Sequence, residues 1–151
     1  MFKGMHHVNL DAKGRLAVPA KIREQLEGFD SSALVVTVDS DDRCLIVYPV
    51  SAWAEIEEKV QGLSSFIPHA KRLKRTLLGY ATEVDIDGSG RIMVNAAARD
   101  YAGLTKECVL MGQGNKLEIW DKARWNGELE EYLDNPLSPE EMPEELRNLV
   151  L

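Results

Sequence analysis

One stretch of this chain occurs twice. Leu10-Asp11-Ala12-Lys13-Gly14-Arg15-Leu16-Ala17-Val18 returns in the second half as Ile86-Asp87-Gly88-Ser89-Gly90-Arg91-Ile92-Met93-Val94. Asp, Gly and Arg repeat identically, and the apolar positions around them keep their phase. Self-similarity of this kind marks two copies of one small supersecondary unit. Within 151 residues each copy is small, and a unit of roughly 50 to 60 residues is marginal alone. The copies are therefore expected to share one core. An arginine at the mouth of each of two tight turns favours a symmetric binding module over a catalytic cleft.

Within each copy, alternation and turn signals set the elements. His7 to Leu10 reads as a strand, Asp11 to Gly14 as a turn, and Arg15 to Val18 as the returning strand of a hairpin. Leu16 and Val18 then point inward and Arg15 outward. The second copy repeats this, with Val84, Ile86, Ile92 and Val94 inward and Arg91 outward. Pro19 opens a short helix to about Leu26, and Asn95 is a good N-cap for its counterpart. Arg23 matches Arg99, and Gly28 and Gly103 end the two helices. A second hairpin follows in each copy. Ala33 to Val38 returns as Cys44 to Tyr48 around Asp39-Ser40-Asp41-Asp42. Glu107 to Met111 returns as Leu117 to Trp120 around Gly112 to Asn115.

Each copy then ends in a helix. Ser51 is expected to cap one, with Trp53, Ile56, Val60 and Leu63 at helical spacing. Asp121 caps the other, with Trp125, Leu129 and Leu133 one turn apart. Such stripes read as core or subunit contact. Between the copies, Pro68 to Leu78 predicts a helix closed by Gly79, with Ala70, Leu73 and Leu77 on its apolar side. In the tail, Ser138-Pro139-Glu140-Glu141 reads as a capping box, and the apolar Leu146, Leu149, Val150 and Leu151 follow. The expected division is 1–66 and 81–135 for the two units with their helices, 67–80 for the basic connecting helix, and 136–151 for the acidic tail.

Composition bounds the class. Hydrophobic content of 44% and charged content of 28% suit a soluble globular chain. No apolar run reaches the length of a membrane span, and Met1 to His7 lacks the apolar stretch of a signal peptide. The expected location is the cytoplasm. The net charge of −7 argues at first against nucleic acid, but its distribution reverses the argument. Residues 121–151 hold nine acids against three bases, while residues 1–26 hold five bases against two acids. A local basic face is what phosphate binding requires.

The Asp-x-x-Gly-Arg element has two readings. Its glycine permits a positive φ in the turn, and its aspartate can accept turn amides or pair with the arginine. In the bland reading, Asp11–Arg15 and Asp87–Arg91 merely staple the turns. In the functional one, Asp11 and Asp87 orient Arg15 and Arg91, whose planar donor fork suits phosphate and the O6/N7 edge of guanine. Lys13 adds a phosphate contact at the first tip; Ser89 replaces it in the second. Lys71, Arg72, Lys74 and Arg75 read first as a solvated helix face, with a secondary DNA or acidic-surface contact as the alternative.

No metal or cofactor is expected. His6 and His7 are adjacent on a strand and point to opposite faces. Cys44 and Cys108 lack CxxC spacing and read as core thiols. Gly88-Ser89-Gly90 lacks the ending of a phosphate loop, no nucleophile motif has its context, and the chain is read as a non-enzyme.

An ordered set of short motifs resembles the MraZ family over residues 1 to about 135. It comprises Met1-Phe2-x-Gly4, Asn9-Leu10-Asp11-x-Lys13-Gly14-Arg15-Leu16-x-Val18-Pro19, Tyr48-Pro49 followed by Trp53, and Leu77-Leu78-Gly79-Tyr80-Ala81. Asp87-x-x-Gly90-Arg91, Ala102-Gly103-Leu104 and Glu118-x-Trp120-Asp121 followed by Trp125 complete it. The resemblance implies an α+β, mainly β fold: two swapped-hairpin (SpoVT-AbrB-like) units forming a pseudo-twofold barrel with peripheral helices. It implies a transcriptional regulator at the promoter of the division and cell-wall gene cluster, its own gene included. Such regulators bind short direct repeats of double-stranded DNA as a ring-shaped homo-oligomer on the nucleoid. It places DNA binding on Lys13, Arg15 and Arg91, with Asp11, Gly14, Asp87 and Gly90 orienting or forming the turns. Asn95 stands where many relatives have proline. The alternative is an antitoxin-like interaction module using the acidic tail.

Overall fold

The runs Ala33–Val38 and Leu45–Pro49 are buried almost throughout, without polar alternation. Strands of that kind must be covered on both faces. A computed structural model describes residues 1–29 and 33–149. The elements, in chain order, are β1 (Met5–Asn9), β2 (Arg15–Ala17), α1 (Ala20–Glu27), β3 (Ala33–Val38), β4 (Leu45–Pro49) and α2 (Val50–Gln61). Next come α3 (Pro68–Leu73), continued by a π turn over Lys74–Leu78, then β5 (Thr82–Asp85), β6 (Arg91–Met93) and α4 (Ala96–Ala102). The chain closes with β7 (Glu107–Gly112), β8 (Leu117–Asp121), α5 (Lys122–Asp134), a 3-10 turn at Pro139–Glu141 and α6 (Glu144–Arg147).

Six strands form one antiparallel sheet in the order β1-β7-β8-β4-β3-β5, and β2 pairs with β6 in a separate ribbon. Exchanging the copies leaves this order unchanged: β1 answers to β5, β7 to β3, and β8 to β4. A pseudo-twofold axis therefore passes through the Ile46–Glu118 pair at the centre of the sheet. It also passes through the Leu16–Ile92 pair of the ribbon.

The strands flanking each Asp-x-x-Gly-Arg turn do not form the local hairpin expected of them. In the first copy they part after a single bridge between Leu10 and Leu16. In the first copy β1 pairs with β7, and in the second β5 pairs with β3. The exchange is the swapped-hairpin arrangement that the resemblance implies. Its physical gain is burial: Leu16 and Ile92 are 0% and 2% exposed at the centre of a core drawn from both copies. That core holds Val8, Leu34, Val36, Leu45, Leu110 and Ile119 from the sheet, and Ile22 and Ala98 from α1 and α4.

The opposite sheet face carries two smaller clusters. Val35, Ile46 and Tyr48 are covered by Trp53 of α2 and by Leu77 and Leu78 of the π turn. Cys44, Val109 and Trp120 are covered by Trp125 of α5. Coverage from both sides explains the unbroken apolar runs.

Several local expectations need correction. Ser51 is not a cap; α2 begins at Val50 behind Pro49, and the Ser51 hydroxyl donates to the Phe29 carbonyl instead. Pro19 is the N-cap of α1 rather than its first residue. Ser138 makes no capping bond, because Pro143 cuts the segment to a 3-10 turn before a helix can propagate. On α5, Leu129 and Leu133 are exposed and only Trp125 packs inward, so this stripe is not core within the chain. Asn95 and Asp121 do cap α4 and α5, accepting from the amides of Ala98 and Arg124. Gly103 ends α4 with a φ of 60°. Val150 and Leu151 lie outside the described residues.

Replacement of Leu16 by alanine is expected to cost about 2–5 kcal/mol. Met93→Ala, on the exposed face of the same ribbon, should stay within about 0.5 kcal/mol. Urea denaturation of both variants checks this; equal losses would show that the axis pair does not carry the fold.

Candidate nucleic-acid interface

Each Asp-x-x-Gly-Arg turn is closed by its own aspartate. Asp11 Oδ1 accepts from the amides of Lys13 and Arg15, both at 2.9 Å. Asp87 Oδ1 accepts from Ser89 and Arg91 at 2.8 and 3.0 Å. In both turns the aspartate amide donates to the arginine carbonyl, and the glycine amide to the aspartate carbonyl. The aspartates are thus turn formers, as the bland reading holds, while their second oxygens face the arginines.

At that second oxygen the copies differ. Arg15 Nε donates to Asp11 Oδ2 at 2.7 Å. Arg91 Nε stands 3.5 Å from Asp87 Oδ2, is buried and makes no hydrogen bond. Arg91 Nη1 instead leans to within 3.8 Å of Asp11 Oδ2. Both guanidinium groups therefore converge on Asp11. Arg15 pairs across the ribbon with Met93, and Arg91 with Ala17. These four residues share the face opposite Leu16 and Ile92, so the arginines sit diagonally about the pseudo-axis. Each is 32% exposed in its side chain, half-buried rather than fully outward. Lys13 and Ser89 are exposed at the two tips.

The turns are also held from the other copy. The Gly14 carbonyl accepts from the Val94 amide and the Gly90 carbonyl from the Val18 amide, both at 2.8 Å. Gly14 has a φ of +86°, and a methyl there would strike the Arg99 guanidinium and come within 2.8 Å of the Val94 carbonyl. Gly90 has a φ of +76°, and a methyl would lie 3.1 Å from Cζ of Arg23. Arg23 of α1 thus backs the second turn, and Arg99 of α4 backs the first. Sequence reasoning matched these two arginines but gave them no role. Their one signal was that match, which does not reveal that each serves the opposite copy. Of the basic run, Arg72 donates to the Ser40 carbonyl and Lys74 to the Ser65 hydroxyl.

Both turn carboxyls titrate below the usual carboxylate range. For Asp11 the Arg15 amide is the main cause; partial loss of solvent opposes it, and the Arg15 guanidinium and Lys13 amide reinforce it. For Asp87 the Arg91 amide leads, against the same opposition, with the Ser89 amide and the charges of Arg91 and Arg15 adding to it.

This geometry aims two planar donor forks from one side of an antiparallel ribbon. A two-stranded ribbon of this kind fits the major groove of B-DNA, where arginine meets guanine O6/N7 or phosphate. The family model described as "MraZ protein, putative antitoxin-like" matches residues 1–76 and again 77–147. The chain belongs to the MraZ family. Among its relatives is a protein of Halorhodospira halophila, 47% identical over 152 residues covering 100% of both chains. Others come from Coxiella burnetii, at 43% over 100% of both chains, and Pseudomonas savastanoi, at 44% over 100% of both. All three are named "Transcriptional regulator MraZ". MraZ-family duplication thus matches the two turns at the level of whole half-chains.

Two outcomes follow from the turns. Gly14→Ala should lose about 1–2 kcal/mol from its left-handed backbone alone, plus the displacement of Arg99. Gly88→Ala, with open space around it, should stay within about 0.5 kcal/mol; thermal denaturation compares them. In a carbon-detected NMR titration, Asp11 and Asp87 should show midpoints below the ordinary aspartate value of about 3.9. Their turns are then fully stabilising above about pH 4, and that contribution fades as pH falls through the depressed pKa. In Arg15→Ala the Asp11 midpoint should rise only part of the way back, because the backbone amide remains.

Proposed function

We propose that this chain is a sequence-specific DNA-binding transcriptional regulator that reads DNA through the β2–β6 ribbon. The observation that carries this reading is the placement of Arg15 and Arg91 on one open face, diagonal about the axis, each backed by an aspartate-closed turn. Arg15 and Arg91 contact base edges or phosphates, and Lys13 adds a phosphate contact on the first side. Asp11 and Asp87 orient, and Gly14 and Gly90 form the turns. Residues 1–66 and 81–135 act as the paired reading units, 67–80 as the connector and 136–151 as the acidic tail. The names of the relatives support regulation, and the ribbon supports DNA as the target; neither feature calls for catalysis.

The target is double-stranded DNA with short direct repeats at the chain's own promoter and the division and cell-wall cluster. A ring of identical subunits presents the same ribbon repeatedly. Individually weak contacts then gain avidity from the linked sites. The exposed Leu129 and Leu133 on α5 are suited to subunit contact. The protein works in the cytoplasm, on the nucleoid.

Binding to DNA from upstream of its own gene, across a salt series, tests the reading. Wild type should bind with a log–log salt slope of about −0.9 per phosphate neutralised. Arg15→Ala should lose specific binding while remaining folded, and Arg91→Ala should weaken it less, since Ser89 replaces the lysine beside it. Wild-type affinity in Arg15→Ala would remove the ribbon assignment. Failure of the wild type to bind, with capture of a small basic protein on the acidic tail, would establish the antitoxin-like alternative.

A further inference from the structure

The sheet face turned away from the ribbon brings three metal-ligating side chains together. Cys44 Sγ and one carboxylate oxygen each of Asp39 and Glu118 lie within 4.8 Å of one another. They come from three places: the turn after β3, the residue just before β4, and the first part of β8. From these we infer a binding site for one divalent cation of the zinc type, with Cys44, Asp39 and Glu118 as its protein ligands.

Glu118 is the first argument. It sits on the pseudo-twofold axis directly opposite Ile46, its own counterpart in the other copy. The fold accepts an apolar residue at this position, yet here a carboxylate is 9% exposed. Its Oε1 accepts from Trp120 Nε1 at 2.8 Å, and among the described residues no cation pairs with it. A buried carboxylate without a cation is costly.

Cys44 is the second argument, and it is independent. Its side chain is fully buried and makes no hydrogen bond among the described residues, although it lies beside two carboxylates. Cys108, the other buried cysteine, instead donates to the Thr105 carbonyl at 3.3 Å. Asp39 is held in place: its Oδ1 accepts from the amides of Asp41 and Asp42, and its backbone amide donates to the Cys44 carbonyl.

The surroundings are negative. Asp41 and Asp42 follow Asp39 in the same turn, their amides folded onto its carboxylate. Arg43 is turned to the Tyr101 carbonyl and ring, and Arg72 to the Ser40 carbonyl. Thiolate with carboxylates suits Zn2+, whereas Mg2+ and Ca2+ prefer all-oxygen sites. Three protein ligands leave the fourth tetrahedral position to water, and bond lengths of about 2.0–2.3 Å require the donors to close up by about 1 Å. On binding, the cation replaces the Cys44 S–H proton, which passes to water. The bound ion would tie the β3–β4 turn to β8 beneath α5.

The test uses the full chain, stripped with a chelator and titrated with Co2+ as a spectroscopic stand-in. One equivalent should produce a thiolate-to-cobalt charge-transfer band that Zn2+ abolishes by displacement. Cys44→Ser should remove the band, Glu118→Gln should weaken binding by at least about tenfold, and Cys108→Ser should change neither. Asp39→Asn, a substitution outside the buried core, should also weaken binding and serves if Cys44→Ser does not fold. Absence of the band in wild type, its persistence in Cys44→Ser, or its loss in Cys108→Ser alone would overturn the site. The result is independent of DNA binding.

Discussion

Everything in this structure hangs on the antiparallel pairing of β2 with β6, which sets Leu16 and Ile92 side by side on the pseudo-axis. Three-residue strands have little intrinsic stability. Here they hold because the inward side chain of each is sealed in a core that neither copy can complete alone. The outward consequence is fixed by the period of two: if Leu16 and Ile92 point in, Arg15 and Arg91 must point out on the same face. One burial decision therefore builds the core and composes the arginine face together.

The turns show the same interdependence at higher resolution. Gly14 needs a positive φ to turn the chain and lacks a Cβ because Arg99 occupies that space. Gly90 and Arg23 repeat the relation in reverse. With the Gly14–Val94 and Gly90–Val18 hydrogen bonds, each reading turn is clamped by the opposite copy. The proposed DNA face is thereby preorganised, which lowers the ordering cost of binding. It also places Arg23 and Arg99 as positioning residues, behind the arginines that would meet DNA.

How much of this was legible in the sequence depended on the range of the interaction. The repeat, the turn glycines, the inward phase of Leu16 and Ile92, and the caps Asn95 and Asp121 are local or periodic features, and the chain states them directly. The partner of each strand is not local. A hairpin within one copy and an exchange between copies satisfy the same alternation, and only the shared core selects the exchange; the family resemblance supplied what periodicity could not. Ser51 and Ser138 failed for a related reason. Cap chemistry was present at both, but neighbouring prolines and the Phe29 carbonyl decided where each helix began. The meeting of Asp39, Cys44 and Glu118 was invisible because it is made by the β4–β8 pairing at the middle of the sheet, not by sequence spacing.

The departures from twofold symmetry fall in two unlike places. On the ribbon they are Lys13 against Ser89 at the tips, Ala17 against Met93 beside the arginines, and the tighter bond of Arg15 to Asp11 than of Arg91 to Asp87. On the far sheet face one lies on the axis itself, where Glu118 opposes Ile46. In the proposed reading, the ribbon meets a double helix whose backbones are related by local dyads, so its two halves cannot diverge far without losing contacts. The opposite face is free of that constraint. In that reading the two arginines keep their twofold relation while the residues around them differ, and the far sheet face is where a second binding chemistry can arise without disturbing the first.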